Sequence, residues 1–224
     1  MLSLLVALLV LTAPVHLFAE NTYIYTPFGP VRVKVKPVSE IKHRGIVKQR
    51  YDYSCGAAVL ATLFKYYFGE EVDEKSVIET LFRVGDVEKI KKRQGFSMLD
   101  LKRYAVLKGY RATGYKATVE DLVRLGVPAI VAIDVGNYRH FVIFKGVYKG
   151  RVLLADPALG NTVVSVGEFR KMWVKNIALV IRPKDGDFKK KGISEEDLVI
   201  VRDEFLRQVF VPQSLPVYRS IADF

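Results

Sequence analysis

The sequence predicts an α+β fold in which amino-terminal helices pack on a carboxy-terminal antiparallel sheet. Three observations predict it. A stretch from Ser54 to Phe68 is apolar nearly all round and has the length of a buried helix. Three shorter segments between 73 and 126 open on residues that cap helices. Beyond Pro128, short β-rich runs alternate with Gly-containing turns. Helices first and strands second make an α+β arrangement, and 224 residues, half of them hydrophobic, suffice for one sizeable core.

Taken in order, Leu2 to Val15 is apolar, closed by Ala19, and too short for a membrane span, so residues 1–19 read as a signal peptide or an amino-terminal anchor. Asn21 to Lys36 alternates with a two-residue period broken at Phe28-Gly29-Pro30, the pattern of a strand or hairpin within residues 20–41. The long helix begins at Ser54, places Cys55 in its first turn and stops at Gly69. Asp73 precedes a helix over 74–82. Ser97 with Asp100, and Thr118 with Asp121, have the spacing of capping boxes, with Gly109 and Gly126 just past the ends of their helices.

Strands follow at 129–133, 140–147, 151–155 and 162–166, then a helical insert at 168–173 and a last strand near 177–181. Residues 183–192 read as a linker, and Ser194 with Asp197 caps a helix to about Gln208. The expected organisation is therefore a domain over 42–183, preceded by the leader and hairpin and followed by a linker, helix and tail over 184–224.

Composition narrows the function. Net charge is +11, with basic residues scattered rather than gathered on one helix face. An exported basic protein meets acidic partners, such as anionic headgroups, wall polymers or acidic peptide segments, and nucleic acid is not expected. An exported chain with one cysteine forms no internal disulfide, so Cys55 needs another reason to be present.

A thiol attacks as its thiolate, and a helix amino terminus lowers a thiol pKa, which is where Cys55 sits. Gly56 would leave room for a substrate carbonyl near backbone N–H groups. The bland alternative is a small buried hydrophobe. A base must be an imidazole, and past the leader only His43 and His140 remain. His43 lies in the polar approach Ile-Lys-His-Arg-Gly, whereas His140 opens the apolar strand Phe-Val-Ile-Phe at a sheet edge.

Asp156 ends the next strand, where a hairpin neighbour brings its carboxylate near the start of the His140 strand; Asp-Pro is also an ordinary turn opening. Gln49, six residues before Cys55, could join the Cys55 N–H in holding an oxyanion. No cluster has metal-ligand spacing and no Gly-rich loop joins a strand to a helix, so neither metal nor cofactor is expected.

Gln49, Cys55-Gly56, Gly95-Phe96-Ser97, His140-Phe141-Val142 and Asp156-Pro157 together resemble the C39 peptidase family over roughly residues 42–182. The resemblance implies a papain-like cysteine peptidase fold, with Cys55, His140 and Asp156 as catalytic residues and Gln49 in the oxyanion hole. Members of that family joined to exporters cut leader peptides after a Gly-Gly pair. This sequence carries an apparent export signal and neither transporter spans nor a Walker A motif, which is similar to a free-standing exported member, periplasmic or secreted. Its expected partner is a peptide or protein substrate, for which the Gly-Gly preference stays open, with the basic charge available for envelope contact. Two alternatives stay open as well: an amidase or acyltransferase using the same triad, and a non-catalytic module that holds a peptide.

Overall fold

The computed structural model describes residues 22–33, 42–136, 138–184, 188, 193 and 197–198. The chain divides into two compact units, 1–38 and 39–224. In the first, β1 (Thr22–Thr26) and β2 (Gly29–Val33) pair antiparallel as a two-stranded hairpin. The expected hairpin is present, and the leader lies outside the described residues.

The second unit opens on α1 (Cys55–Thr62), every residue of which is buried. An all-apolar surface on a helix is stable only with packing on all sides. The helix continues as a π-helical turn, Leu63–Phe68, and ends at Gly69 with φ 76°. The expected single helix is thus widened over its second half, and the left-handed stop is the conformation glycine adopts without cost. Around α1 stand α2 (Glu74–Val84), α3 (Val87–Arg93) and α4 (Met98–Leu107). Capping boxes form at Asp73 with Ser76 and at Ser97 with Asp100. Helix α3 was not expected; seven residues with four basic side chains show little apolar periodicity, and only Ile90 is buried.

A six-stranded antiparallel sheet follows, in the order β3-β8-β4-β5-β6-β7. Its strands are β3 (Arg111–Lys116), β4 (Ala129–Val135), β5 (Tyr138–Tyr148), β6 (Arg151–Asp156), β7 (Gly160–Ser165) and β8 (Trp173–Arg182). Helix α5 (Val119–Leu125) lies between β3 and β4, and α6 (Val166–Met172) between β7 and β8. Strand β3 escaped the sequence because Arg-Ala-Thr-Gly-Tyr-Lys buries one side chain, Ala112. It is an edge strand held by its register with β8.

One face of the sheet, including Ile130, Ile143, Ala155 and Leu179, packs on α1, α2 and α4. The other, including Val131, Val142, Phe144 and Val180, packs on Leu122 of α5 and Phe169 of α6. Two-sided burial explains why β4 reads as a continuous apolar run rather than an alternating one.

The β5–β6 turn has Lys149 at φ 47° and Gly150 at φ 74°, the positive pair that a tight two-residue hairpin turn requires. Of the helix expected from Ser194 to about Gln208, only Asp197 and Leu198 are described. Asp197 forms a buried ion pair with Lys145, Ile193 packs on Gly146, and the Phe188 and Phe68 rings lie 5.5 Å apart. Asp197 and Ile193 thus contact β5 at Lys145 and Gly146, five and six residues past His140, and Phe188 contacts the π-helical turn.

Gly160 pairs with Asp156 at φ 89°, and a Cβ there would stand 2.7 Å from the Lys42 carbonyl oxygen. Backbone cannot yield as a flexible side chain can, so Gly160→Ala is expected to cost about 2 kcal/mol or more, read as a lowered midpoint in thermal unfolding.

Candidate active site

Four elements converge on one cleft of about 400 Å³, lined by Tyr53, Cys55, Gly95, Phe96, Ala132, Tyr138 and His140 among others. The segment before α1 is tied down at each step. Val47 N–H donates to Thr62 Oγ1 at 2.9 Å, and Gln49 N–H donates to the Pro157 carbonyl at 2.9 Å. Arg50 N–H donates to both oxygens of Glu74, at 3.2 and 3.0 Å, and Ser54 Oγ donates to Glu74 Oε1 at 2.6 Å. Tyr53 then takes φ 60°, a strained value for a bulky residue, and turns the chain so that α1 starts at Cys55.

His140 stands two residues into β5 and Asp156 at the end of β6. Nε2 of His140 lies 3.1 Å from Oδ2 of Asp156, and both side chains are about 95% buried. The approach is an ion-pair distance whose angle is off hydrogen-bond alignment, so neither imidazole nitrogen has an aligned partner among the described residues. Nδ1 is left as the nitrogen that can serve the thiol. The other carboxylate oxygen, Oδ1, accepts from Ala158 N–H at 2.8 Å and Leu159 N–H at 3.1 Å. Asp156 thus does both things the sequence offered: one oxygen closes the Asp-Pro turn and the other faces the imidazole.

The helix start does pull on the Cys55 pKa in the expected direction, through the Gly56 N–H, but a larger influence opposes it. Burial pushes the Cys55 thiol above its ordinary value; hydrogen bonds from the Phe141 and Gly56 N–H groups pull it down, and the Asp156 charge pushes it up again. Of these influences desolvation is the largest, and the net shift of the thiol is upward.

Gly56 also has a packing role. A Cβ at Gly56 would meet Leu101 Cδ1 at 3.1 Å, Phe96 Cβ at 3.3 Å and Phe141 Cδ2 at 3.5 Å. The missing side chain lets α1 approach α4 and β5.

The structure brings Cys55, His140 and Asp156 together, with Gln49 beside them. Gln49 Nε2 donates to the Tyr51 carbonyl at 2.9 Å, and its side chain faces the Tyr138 hydroxyl. His43 lies in the turn that accepts Ile46 N–H and is not among the cleft-lining residues.

Three residues escaped the sequence. Glu74 looked like an ordinary first-turn acid after its cap. Tyr53 carried no cue for its backbone. Tyr138 had one: two residues before His140 on a strand, it shares the His140 face, and the rings meet edge to face with centroids 5.3 Å apart. Next to the cleft, and sharing Tyr53, Gln94, Gly95 and Phe96 with it, runs an apolar groove of about 460 Å³ walled by Tyr51, Ile78, Phe82 and Ile90.

A model of the peptidase C39 family matches residues 43–186, well over half of the chain. The chain belongs to the C39 peptidase family. Within that family it is 40% identical over 145 residues, 65% of its length, to a probable functional amyloid protease, FapD, of Pseudomonas aeruginosa. It spans 64% of that relative's length. Among solved structures it is similar to a double glycine motif protease from an AMS/PCAT transporter in complex with the leader peptide, with TM-score 0.52 and 28% identity over 62% of this chain and 91% of the other. The peptidase domain of Streptococcus ComA, a bifunctional ABC transporter of a quorum-sensing pathway, shares the fold at TM-score 0.52 and 23% identity, over 62% of this chain and 98% of that domain. The helices and six-stranded antiparallel sheet are those of the C39 papain-like peptidase domains.

Proposed function

We propose that this C39 family member is an exported thiol peptidase that works by a Cys-His-Asp mechanism. The observation that carries the proposal is the buried 3.1 Å approach of His140 to Asp156 in the cleft that Cys55 lines. A buried imidazole beside a buried carboxylate is held in one orientation, with its second nitrogen free for a nucleophile.

In this mechanism His140 accepts the Cys55 proton as sulfur attacks the scissile carbonyl. The S–C bond forms and the carbonyl π pair moves to oxygen. The Cys55 N–H and the Gln49 amide hold the resulting anion. The imidazolium then protonates the leaving amine as the C–N bond breaks, and water, deprotonated by the same imidazole, releases the acyl group.

Two relatives support a peptide substrate. One solved C39 protease binds a leader peptide, and a curated relative carries the name of a functional amyloid protease. An extended peptide, exported like the enzyme, fits a cleft continued by an apolar groove, and a Gly-Gly pair at the cut is the sequence to try first. The net charge of +11 suits an acidic segment or an anionic envelope surface near the cut.

Cys55→Ala tests the reading against a module that only holds peptides. The variant is expected to bind a peptide spanning a Gly-Gly site with unchanged affinity and to show no turnover by mass spectrometry; turnover equal to wild type would remove the thiol from the chemistry. Product analysis with an added peptide amine separates hydrolysis from acyl transfer: a transferase gives the new amide as its main product, and a hydrolase the free acid.

A further inference from the structure

We propose that the Tyr138 hydroxyl is a second side-chain donor to the oxyanion, standing beside Gln49 in the cleft. This rests on the peptidase reading and adds to it a residue whose part the sequence did not reveal.

The argument begins with the Gln49 amide. It has two N–H donors and one acceptor oxygen. One N–H is committed to the Tyr51 carbonyl at 2.9 Å, and Oε1 is buried without an aligned partner among the described residues. Gln49 therefore cannot swing freely toward a substrate, and at most one of its hydrogens can serve an oxyanion. What its side chain faces is the Tyr138 hydroxyl.

Tyr138 is fixed from two directions. The pleat of β5 puts it on the His140 face, where its ring meets the imidazole edge to face, and the half-buried side chain lines the cleft together with Cys55. Negative charge on the Cys55 sulfur is felt at the Tyr138 hydroxyl, more strongly than charge on Asp156. Tyr138 thus presents a hydroxyl donor to the cleft in which negative charge develops during attack on a carbonyl, and a donor that meets that charge stabilises the transition state more than the ground state.

Burial, with that same charge in second place, pushes the phenol pKa up to about 12, so the group keeps its proton at every working pH and remains a donor.

The test separates attack on a carbonyl from attack on a saturated carbon. Acetyl-Gly-glycinal, a peptide aldehyde, is captured as a hemithioacetal: the S–C bond forms and the carbonyl oxygen becomes the anion that the donors hold. Iodoacetamide alkylates the same sulfur with loss of iodide from carbon, and no oxyanion forms. Tyr138→Phe is expected to weaken aldehyde capture about tenfold or more, with iodoacetamide alkylation of Cys55 at pH 8 held within about twofold of wild type.

Equal aldehyde capture by wild type and variant overturns the inference. A parallel fall in capture and alkylation also overturns it, because Tyr138 would then act by shaping the thiol and imidazole. A wild type that alkylates but never captures the aldehyde sinks the peptidase reading, and this inference with it.

Discussion

Replacing His140 by alanine is expected to lower kcat/KM for peptide cleavage at neutral pH by about 10³-fold. The size follows from the state of the sulfur. Burial raises the Cys55 pKa above the 9.0 of an unperturbed thiol, and the Asp156 charge works in the same direction, against the N–H groups of Phe141 and Gly56. A raised thiol pKa means less thiolate at pH 7 than an exposed cysteine would have, so catalysis at neutral pH depends on a base that takes the proton during attack. Among the described residues no other imidazole lines the cleft.

The pH profile carries the sign. In His140→Ala the residual rate should climb as pH rises and follow the titration of the thiol, with a midpoint above that of an ordinary cysteine. Wild type should retain its rate at neutral pH, where the variant loses it. Steady-state kinetics from pH 6 to 10 on both proteins decide the matter. A variant that keeps wild-type kcat/KM at pH 7 would mean that His140 is not the base. Wild-type alkylation by iodoacetamide with a midpoint well below that of a free thiol would mean a preformed thiolate, and burial would then not be the dominant influence on the sulfur.

That result also marks where the sequence stops being informative. The position of Cys55 at a helix start was legible because an apolar run, a Gly stop and a preceding polar loop define the helix. The balance of effects on the thiol was not legible, because desolvation depends on what covers α1, and α1 is covered by residues far away in sequence. The spacing of the His140 and Asp156 strands was legible through their short turn, although the Phe144/Gly146 bulge in the register was not. Strand β3 and helix α3 were hidden for a common reason: each buries one side chain, so neither writes a periodic signal. Gly56 shows a third kind of limit. The residue was noticed, but which neighbours its missing side chain admits is a matter of packing, and the structure places helix α4 and β5 there.

Glu74→Ala is expected to lower stability by about 3 kcal/mol and kcat/KM by about 10²-fold while leaving the domain folded. Glu74 is 4% exposed and accepts hydrogen bonds from Arg50 N–H and Ser54 Oγ. As the first residue of α2, its carboxylate also lies where the helix dipole favours negative charge. Charge-assisted bonds of this kind are worth about 1.5 to 3 kcal/mol each, and cutting them leaves a backbone donor in a partly buried loop without its acceptor.

The loss in rate arises because Arg50 and Ser54 bracket the chain between Gln49 and Cys55. Without Glu74 the loop keeps the Val47 to Thr62 and Gln49 to Pro157 bonds upstream and the turn bonds to Tyr51, but loses the anchor nearest Cys55. Small misplacements of donors and nucleophile are costly in rate. Glu74→Gln, which keeps one acceptor oxygen and the shape, should lose about 1 kcal/mol and proportionately less activity. Denaturant unfolding and kcat/KM measured on both variants separate anchoring from bulk stability: a stability loss in Glu74→Ala with turnover unchanged would show that α1 and the cleft hold Cys55 without help from this loop.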